Sequence, residues 1–386
     1  MTNTEIGSAV VINGDCIDQM RAMPADSVDA IVTDPPYGLS KYKPAEVAEM
    51  LAAWLAGEPY HKSGAGFMAR EWDSCVPGPD VWAEALRVLK PGGHMLAFAG
   101  SRTLDLMTLA IRLAGFEIRD TLTWLYGSGF PKSLDVGAAI DKAAGAERAD
   151  EYAARPVGRD PNRVFDQGLG VDLIERRPVT DEARQWAGWG TALKPAHEPI
   201  VMARKPAYEP IVMARKPLIG TIAANVLEHG TGGVNIDASR ISDVDRPGDV
   251  GRWPANVLLD TESAGALGEK ARFFYSAKAS RGERDAGLEA FAESRRSDGR
   301  ATDIDNPRLR TSARRNDHPT VKPIDVMRWL VRLVTPPGGV VLDPFAGSGS
   351  TLIAAEQSGF RSIGIELDDH YCDLAVARLA HWTDDR

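Results

Sequence analysis

The chain has 386 residues, 44% of them hydrophobic and 26% charged, a composition that excludes a disordered or fibrous protein. No apolar run reaches the ~20 residues of a membrane helix, Met1–Ala9 lacks the layout of a signal peptide, and three scattered cysteines indicate neither disulfides nor zinc, so we expect a soluble cytoplasmic protein without a bound metal. The net charge of −9 argues mildly against nucleic acid as a partner, since phosphate contacts need local lysine and arginine, but it is only an average.

The first third of the chain alternates strand-like and helix-like segments. Short apolar runs bounded by turn residues indicate strands, and apolar residues at helical spacing indicate the helices between them. Pro91-Gly92-Gly93 is expected to stop the first helix. This alternation predicts a parallel sheet covered by helices. The predicted strands are Ser27–Thr33, Met95–Ala99 and Glu117–Tyr126, and the predicted helices are Asp80–Lys90 and Thr103–Ala114.

A tandem repeat interrupts the looser sequence that follows. After Gly-, Pro- and charge-rich residues with one helix-like piece, Val136–Ala144, the segment KPAHEPIVMAR (194–204) is followed at once by KPAYEPIVMAR (205–215). Two copies of so short a period do not make a solenoid. We interpret them as a local duplication in which one copy pairs into the sheet and the other forms a surface loop. A specific role for the extra copy stays open.

Regular α/β patterning returns near the end of the chain. The residues before it, 218–317, are turn-rich and lack a long periodic helix. The layout predicts one α/β domain written in two pieces, residues 1–217 and 318–386, with an insert of about 100 residues between them. The late predicted elements are helices at 325–334, 350–357 and 368–380 and strands at 340–343 and 361–366.

The first loop that suggests chemistry is Asp34-Pro35-Pro36-Tyr37-Gly38, directly after the first predicted strand. Loops at the carboxyl ends of strands line the ligand crevice of doubly wound sheets. An aromatic amine is a poor nucleophile because its lone pair is delocalised into the ring. The Asp34 carboxylate and the Pro35 carbonyl can accept its two N–H bonds, and the adjacent prolines stiffen these acceptors. Tyr37 offers a flat face to a base taken out of its helix. The alternative is a surface turn, because Asp-Pro and Pro-x-Gly are common turn dipeptides.

The second loop is Asp343-Pro344-Phe345-Ala346-Gly347-Ser348-Gly349-Ser350, between a predicted strand and a predicted helix. Its glycines let the backbone approach a ligand closely, and the helix N-terminus offers free N–H groups. Glu366 ends the next strand, where a carboxylate can accept from both hydroxyls of a ribose. Leu352 breaks the dinucleotide fingerprint, and the Gly-Lys-Ser/Thr of a P-loop is absent. These features predict a site for a nucleoside without phosphate, for which S-adenosylmethionine fits best.

Together the two loops resemble those of DNA amino-methyltransferases. Because DPPY (34–37) precedes DPFAGSG (343–349), the chain resembles the permuted β class of that family, in which the target-recognition region lies between the loops. The resemblance implies an α/β, Rossmann-like S-adenosylmethionine-dependent methyltransferase fold, circularly permuted, with an inserted target-recognition region. Trp124–Lys132 and the strand at His197-Glu198 look like the antiparallel pair that closes its sheet, and the doubling of the segment leaves open which copy enters the sheet. In these terms 1–217 is the catalytic half, 218–317 the recognition insert and 318–386 the cofactor-binding half.

Two further elements are similar to elements of the same family. Asn13-Gly14-Asp15-Cys16 looks like its GD element near the cofactor adenine, and the segment 318–323 (HPTVKP) like its HPTxKP element, which implies that Thr320 and Lys322 approach the methionine end of the cofactor. The alternatives are that Asp15 is an ordinary turn residue and that Lys322 is a solvated lysine. The resemblance implies a catalytic set of Asp34, Pro35, Pro36 and Tyr37, and a cofactor-binding set of Asp15, Cys16, Thr320, Lys322, Asp343, Phe345, Ala346, Gly347, Ser348, Gly349 and Glu366.

The reaction implied is direct in-line methyl transfer to an amino nitrogen of a flipped base, without a metal and without a covalent enzyme intermediate. Asp34 favours adenine N6, because Ser is commoner at this position among N4-cytosine enzymes of the family, although Asp occurs in both. Cytosine N4 is therefore an open alternative. RNA is another, since DPPY also occurs in RNA-modifying enzymes, although there the cofactor loop normally comes first. A DNA-binding relative without catalysis is the remaining one.

The partner implied is double-stranded DNA, and the insert holds candidate contacts to it. Aromatic and basic residues interleave at 272–278 and Arg281, and seven arginines lie between Arg295 and Arg315. The alternative for 272–281 is a half-buried strand, and the alternative for 295–315 is a solvated loop. Arg240, Arg252 and Trp253 could contact DNA or have no such role. The Gly-rich stretch His61–Arg70 is interpreted as a lid over the target base. The recognition sequence, a homodimer and a restriction partner stay open.

Overall fold

The computed structural model describes most of the chain, and the statements below concern these residues alone. The described residues are 3–40, 42–62, 71–126, 136–147, 151–153, 173–175, 178–185, 207–241, 255, 257–268, 271, 274–276, 281–293 and 314–384.

Twelve strands and twelve helices lie in these ranges. The strands are β1 (Asn3–Ile6), β2 (Ala9–Asn13), β3 (Val28–Thr33), β4 (Leu89–Phe98), β5 (Glu117–Tyr126), β6 (Glu151–Ala153), β7 (Leu173–Glu175), β8 (Ala207–Arg215), β9 (Val257–Leu259), β10 (Tyr275–Ser276), β11 (Val340–Asp343) and β12 (Arg361–Glu366). The helices are α1 (Cys16–Ala22), α2 (Pro44–Ala56), α3 (Pro79–Val88), α4 (Leu104–Leu113), α5 (Val136–Ala143), α6 (Asp181–Gln185), α7 (Ile222–His229), α8 (Thr261–Leu267), α9 (Arg281–Asp285), α10 (Ile324–Val334), α11 (Ser350–Gln357) and α12 (Asp369–Asp384).

Ten of the strands form one sheet in the order β1-β2-β12-β11-β3-β4-β8-β5-β9-β10. The run from β2 to β4 is parallel, whereas β8 is antiparallel to both of its neighbours. The late strands β11 and β12 lie between the early strands β2 and β3, so the two ends of the chain build one continuous sheet. This interleaving confirms the predicted α/β, Rossmann-like architecture in permuted order.

Helices cover both faces of the sheet. Successive residues of a strand point to opposite faces. Along β3, Ala30 and Val32 therefore pack into a layer shared with α10, α11 and α12, whereas Ile31 packs into a second layer with α1 to α4. Burial on both faces explains why Ala30, Ile31 and Val32 follow one another without a polar residue between them.

Most predicted elements near the two loops are confirmed, and the largest difference in a boundary lies between α3 and β4. The strands β5, β11 and β12 and the helix α11 have the predicted bounds. The predicted helix stop at Pro91-Gly92-Gly93 is wrong in its position, because α3 ends at Val88 and β4 begins at Leu89. The register between β3 and β4 shifts there, and Gly92 has a φ of +75°. A Cβ at Gly92 would lie 2.5 Å from the Asn225 amide, so these residues form a bulge within the strand.

The second copy of the repeat is the one that enters the sheet. It forms β8, which pairs with β4 on one side and β5 on the other. The predicted antiparallel pairing of β5 with the repeat is confirmed for this copy. The first copy, 194–204, lies outside the described residues.

The proposed insert shares the sheet rather than standing apart. Its strands β9 and β10 extend the edge beyond β5, and Leu288 packs with Tyr371 and Leu374 of α12. Residues 63–70 of the proposed lid and five of the seven clustered arginines lie outside the described residues. In the ranges given above, no helix is long and apolar enough to cross a membrane.

Candidate active site

The two loops leave the sheet side by side. The strands β3 and β11 are adjacent and parallel, and the first loop follows Thr33 while the second begins at Asp343. The Thr33 hydroxyl donates to Oδ1 of Asp343 at 2.6 Å, so the two strand ends are joined directly. Both loops therefore face the crevice at the carboxyl edge of the parallel strands.

Asp34 is engaged through both carboxylate oxygens. The Tyr37 hydroxyl donates to Oδ1 at 2.9 Å, and the Lys322 ammonium donates to Oδ2 at 2.8 Å. The same ammonium donates to the Tyr37 hydroxyl oxygen at 3.1 Å, which closes a three-membered network. The Lys322 side chain is 5% exposed and that of Asp34 13%, so the pair is largely shielded from water.

Lys322 is a buried lysine and not a solvated one. Its ammonium lies 4.8 Å from the centre of the Phe98 ring and 5.4 Å from that of Tyr37, in addition to its bond with Asp34. A buried ammonium is tolerated where a carboxylate and aromatic faces surround it. The resemblance implied a position near the methionine end of the cofactor. The structure brings the ammonium of Lys322 to the carboxylate of the first loop.

The first loop is held rigidly beyond Asp34. Thr103 donates its hydroxyl to the Tyr37 carbonyl, and the Gly38 amide donates to Oδ1 of Asp73 at 2.9 Å. Gly38 has a φ of +61°, and a Cβ there would lie 2.5 Å from the Val76 nitrogen. Pro35 is buried and Pro36 half-buried. The four residues predicted to be catalytic are thus brought together on one fixed turn, as electrostatic preorganisation requires.

The second loop begins at a fully buried acid. Asp343 accepts from Thr33 and from the Phe345 amide at 3.1 Å. Burial raises the pKa of Asp343 from 3.8 to about 6, and the hydrogen bond from Thr33 opposes that rise. The loop then crosses close to its neighbours, because a Cβ at Gly347 would lie 2.8 Å from Nε2 of His318.

Glu366 accepts hydrogen bonds from the backbone of the second loop and of the residues that follow β12. Its Oε2 accepts from the Gly347 amide at 2.7 Å, and its Oε1 from the Asp368 amide at 2.9 Å. Burial raises the pKa of this carboxyl. Each carboxylate oxygen has two lone pairs, so one remains on each oxygen for a ribose hydroxyl.

The predicted adenine element lies beside Glu366. The Gly14 amide donates to the Glu366 carbonyl at 2.9 Å. Asp15 is exposed and caps α1, accepting from the amides of Ile17 and Asp18. This capping is the turn role that the sequence offered as the alternative for Asp15. Burial raises the pKa of the Cys16 thiol to about 12, so it is neutral at pH 7.

The HPTVKP segment spans the distance between the two loops. At its start, the His318 ring lies against Gly347 and meets the Tyr371 ring edge-on at 4.6 Å. The Thr320 amide points to Nδ1 of His318 at 3.4 Å, and Thr320 is half-buried. At its other end, Lys322 contacts Asp34 of the first loop. His318 was not among the predicted site residues, although it is the first residue of the HPTVKP motif.

The geometry fits a nucleoside cofactor such as S-adenosylmethionine. Gly347 and Gly349 have φ values of +52° and +79°, and a Cβ at either would meet a neighbour within 3.1 Å. Glu366 and the start of α11 flank this narrow cradle. Among the described residues, no group of three or more His, Cys, Asp or Glu side chains could hold a metal ion.

A permuted Rossmann-like sheet with DPPY beside a glycine cradle defines a methyltransferase acting on an amino nitrogen. The sequence model of the N6/N4 methyltransferase family, described as DNA methylase, matches residues 28–377. The chain belongs to this DNA methylase family, and S-adenosylmethionine is its methyl donor.

Individual relatives span different parts of the chain. The type II methyltransferase M.HindIII of Haemophilus influenzae is 24% identical over 387 residues, covering 96% of this chain and 94% of that protein. The type II methyltransferase M.ScaI of Streptomyces caespitosus is 43% identical over 70 residues, or 18% of this chain and 23% of that protein. Among solved structures, the PvuII DNA methyltransferase (cytosine-N4-specific) is 13% identical with a TM-score of 0.47, covering 96% of this chain and 86% of that one.

Proposed function

We propose that this DNA methyltransferase acts on adenine N6 in double-stranded DNA, on a base flipped out of the helix. The observation that carries the proposal is the Asp34 carboxylate, fixed at the end of β3 by the buried Lys322 ammonium. A carboxylate accepts more strongly than the serine hydroxyl common in N4-cytosine enzymes, and it suits an exocyclic amino group that offers two N–H bonds.

The residues of the first loop have separate tasks in this proposal. Asp34 and the Pro35 carbonyl accept the two N–H bonds of the amino group, which favours a tetrahedral nitrogen with a localised lone pair. Each oxygen of Asp34 has two lone pairs, so Asp34 can take an N–H while it keeps Lys322. Tyr37, now bonded to Asp34, turns its ring to the flipped base.

S-adenosylmethionine, when bound, supplies a methyl group on a sulfonium sulfur. The second loop and Glu366 would hold its nucleoside, with Asp15, Cys16 and Thr320 around it. The charge that develops on the target nitrogen lies beside the Asp34 carboxylate, which stabilises it electrostatically. A strong base is not needed, because a methylated amino group bearing positive charge loses a proton readily.

Recognition of a specific site is assigned to residues 218–317. Two described arginines of this region have partners in the protein. Arg240 pairs with Asp237 at 2.9 Å, and Arg315 donates to the carbonyls of Glu289 and Phe291. The arginines at 295–310 are then the candidates for DNA contact. The likeness to M.HindIII over nearly the whole chain supports a site-specific modification enzyme in a restriction–modification setting.

The test is product identification. Purified protein is incubated with labelled S-adenosylmethionine and unmethylated double-stranded DNA, and the DNA is digested to nucleosides for mass spectrometry. N6-methyladenine is expected, and none from an Asp34→Ala variant that still binds cofactor. N4-methylcytosine would keep the chemistry and correct the base. Methylation of RNA and not of DNA would overturn the assigned substrate.

A further inference from the structure

Arg378 is a fully buried cation behind the cofactor loop. It lies on α12, its side chain is 0% exposed, and it is among the largest fully buried side chains. Among the residues that the structure describes, its hydrogen bonds come from one nitrogen, Nη1, and go to two serines. The acceptors are the Ser348 carbonyl, the Ser348 hydroxyl at 3.0 Å and the Ser350 hydroxyl at 3.3 Å.

The charge of Arg378 has little local compensation. Within the described part of the chain, its Nε and Nη2 have no hydrogen-bond partner and no carboxylate forms an ion pair with it. Burial lowers its pKa to about 10, and the charges of Glu283 and Asp285 on α9 oppose that fall while the charge of Arg284 adds to it. The guanidinium is therefore charged at pH 7. It also stands at the N-terminus of α11, where the helix dipole disfavours a cation.

The bonds of Arg378 fall on the turn that forms the cradle. The Gly349 amide donates to the Ala346 carbonyl at 2.8 Å, and the first bond within α11 runs from the Ile353 amide to the Gly349 carbonyl at 3.0 Å. The N–H groups of the first residues of α11 have no partner within the helix. The 348–349 peptide leads into these residues through Gly349, which is the N-cap of α11. Arg378 holds the carbonyl of that peptide.

We propose that Arg378 is a positioning residue for S-adenosylmethionine binding. By holding Ser348 and Ser350 from behind, it fixes the turn that presents the backbone of 347–352 to the cofactor. It acts through the loop, since its hydrogen bonds to the described residues go to Ser348 and Ser350. The stability lost by burying a poorly paired cation is offset by a preorganised site. The proposal rests on the family's use of this cofactor and not on the choice of base.

The first test measures cofactor affinity in the DNA-free protein by calorimetry. Arg378→Met should raise the Kd for S-adenosylmethionine about ten- to a hundredfold, the loss expected for hydrogen bonds from a charged group. The Kd for S-adenosylhomocysteine should rise by the same factor, because the substitution affects the loop and not a contact with the sulfonium. A change confined to S-adenosylmethionine would mean that Arg378 acts through the charge of the sulfonium and not through the loop, and it would overturn the proposal.

The matched control is Leu374→Ala, one turn earlier on α12. Leu374 is fully buried and packs on Leu288 and Tyr371, away from the serines. Its truncation destabilises the same helix without removing a loop contact. If both variants weaken cofactor binding equally for an equal loss of melting temperature, Arg378 has only a structural role. In steady-state assays Arg378→Met should raise KM for the cofactor, with kcat and KM for DNA within about twofold.

A second variant covers the case in which Arg378→Met does not fold. Arg378→Lys keeps a buried cation with one donor nitrogen, but its side chain is shorter. Its Kd for S-adenosylmethionine should therefore lie between the values of wild type and Arg378→Met. Amide hydrogen exchange of 346–352, measured without cofactor, should be faster in Arg378→Lys than in wild type and unchanged in Leu374→Ala. Unchanged exchange in a folded Lys variant, with unchanged Kd, would overturn the proposal.

Discussion

The Lys322 ammonium lies 2.8 Å from Oδ2 of Asp34, although 288 residues separate the two in sequence. One residue belongs to the loop after β3 and the other precedes α10. Because β3 and β11 are neighbours in the sheet, the permuted chain brings its two ends together at this ion pair. The Asp34 carboxylate of the early segment, which we propose to be catalytic, is thus fixed by a cation of the late segment. The pair is shielded, so its two partners depend on each other.

A double-mutant cycle on this pair should show strong coupling. Asp34→Ala leaves a buried ammonium without its carboxylate, and Lys322→Met leaves the carboxylate without its cation. Each should lower the free energy of unfolding by about 3–5 kcal/mol, and the double variant by less than the sum. Urea unfolding measures all four proteins. The exposed pair Arg184–Asp181 is the control, where coupling should be much smaller. Additive losses at Asp34 and Lys322 would contradict the pairing.

Tyr37 has a hydroxyl bonded to Asp34 and a ring assigned to the flipped base, and two substitutions separate these parts. Tyr37→Phe keeps the ring and should retain base flipping. Tyr37→Ala should lose about 1–3 kcal/mol of binding to target DNA, the usual worth of one base–aromatic stack. After the site is mapped by sequencing, 2-aminopurine at the target position reports flipping by fluorescence. If the Tyr37→Ala enzyme flips the base as well as the Tyr37→Phe enzyme does, the ring has no stacking role.

Gly347 should tolerate no side chain. Its φ is +52°, and a Cβ would lie 2.8 Å from Nε2 of His318. Gly347→Ala should therefore weaken S-adenosylmethionine binding, and Gly347→Asp should block it, while DNA binding persists. Gly233→Ala is the control, because a Cβ there meets nothing within 4 Å. Calorimetric titration of each variant with S-adenosylmethionine measures these affinities. Adding His318→Ala should restore part of the affinity by removing the clash, and wild-type affinity in Gly347→Ala would exclude a close backbone approach.

Local sequence patterns predicted much of this site, and long-range side-chain contacts were beyond them. The apolar runs of β3 and β11 and the glycines of the second loop are local signals, so their elements and order could be predicted. The contact of Lys322 with Asp34 depends on the strand order, which periodicity does not contain. Arg378 offered no signal, since an arginine on a helix usually faces water. The bulge at Gly92 depends on Asn225, which donates its amide to the Pro91 carbonyl at 2.8 Å.

The pH dependence of stability should reveal Asp343. Its folded pKa is raised from 3.8 to about 6, so the folded state holds this proton more tightly than the unfolded state does. Its contribution to stability is complete below pH 4 and is lost as the pH rises through 6. Asp343→Asn does not titrate. Relative to wild type, it should gain about 2–3 kcal/mol between pH 4 and pH 7, since one pKa unit corresponds to ~1.4 kcal/mol.

Urea unfolding of both proteins across this range measures the difference between the two curves, in which other acids cancel. Thr33→Val supplies the control. It removes the hydrogen bond that lowers the pKa of Asp343, so the fall in stability of this variant should extend above pH 6. Parallel curves for wild type and Asp343→Asn would mean that Asp343 titrates alike in both states. The carboxyl that joins the two loops would then be solvated in the folded protein, contrary to its burial at the end of β11.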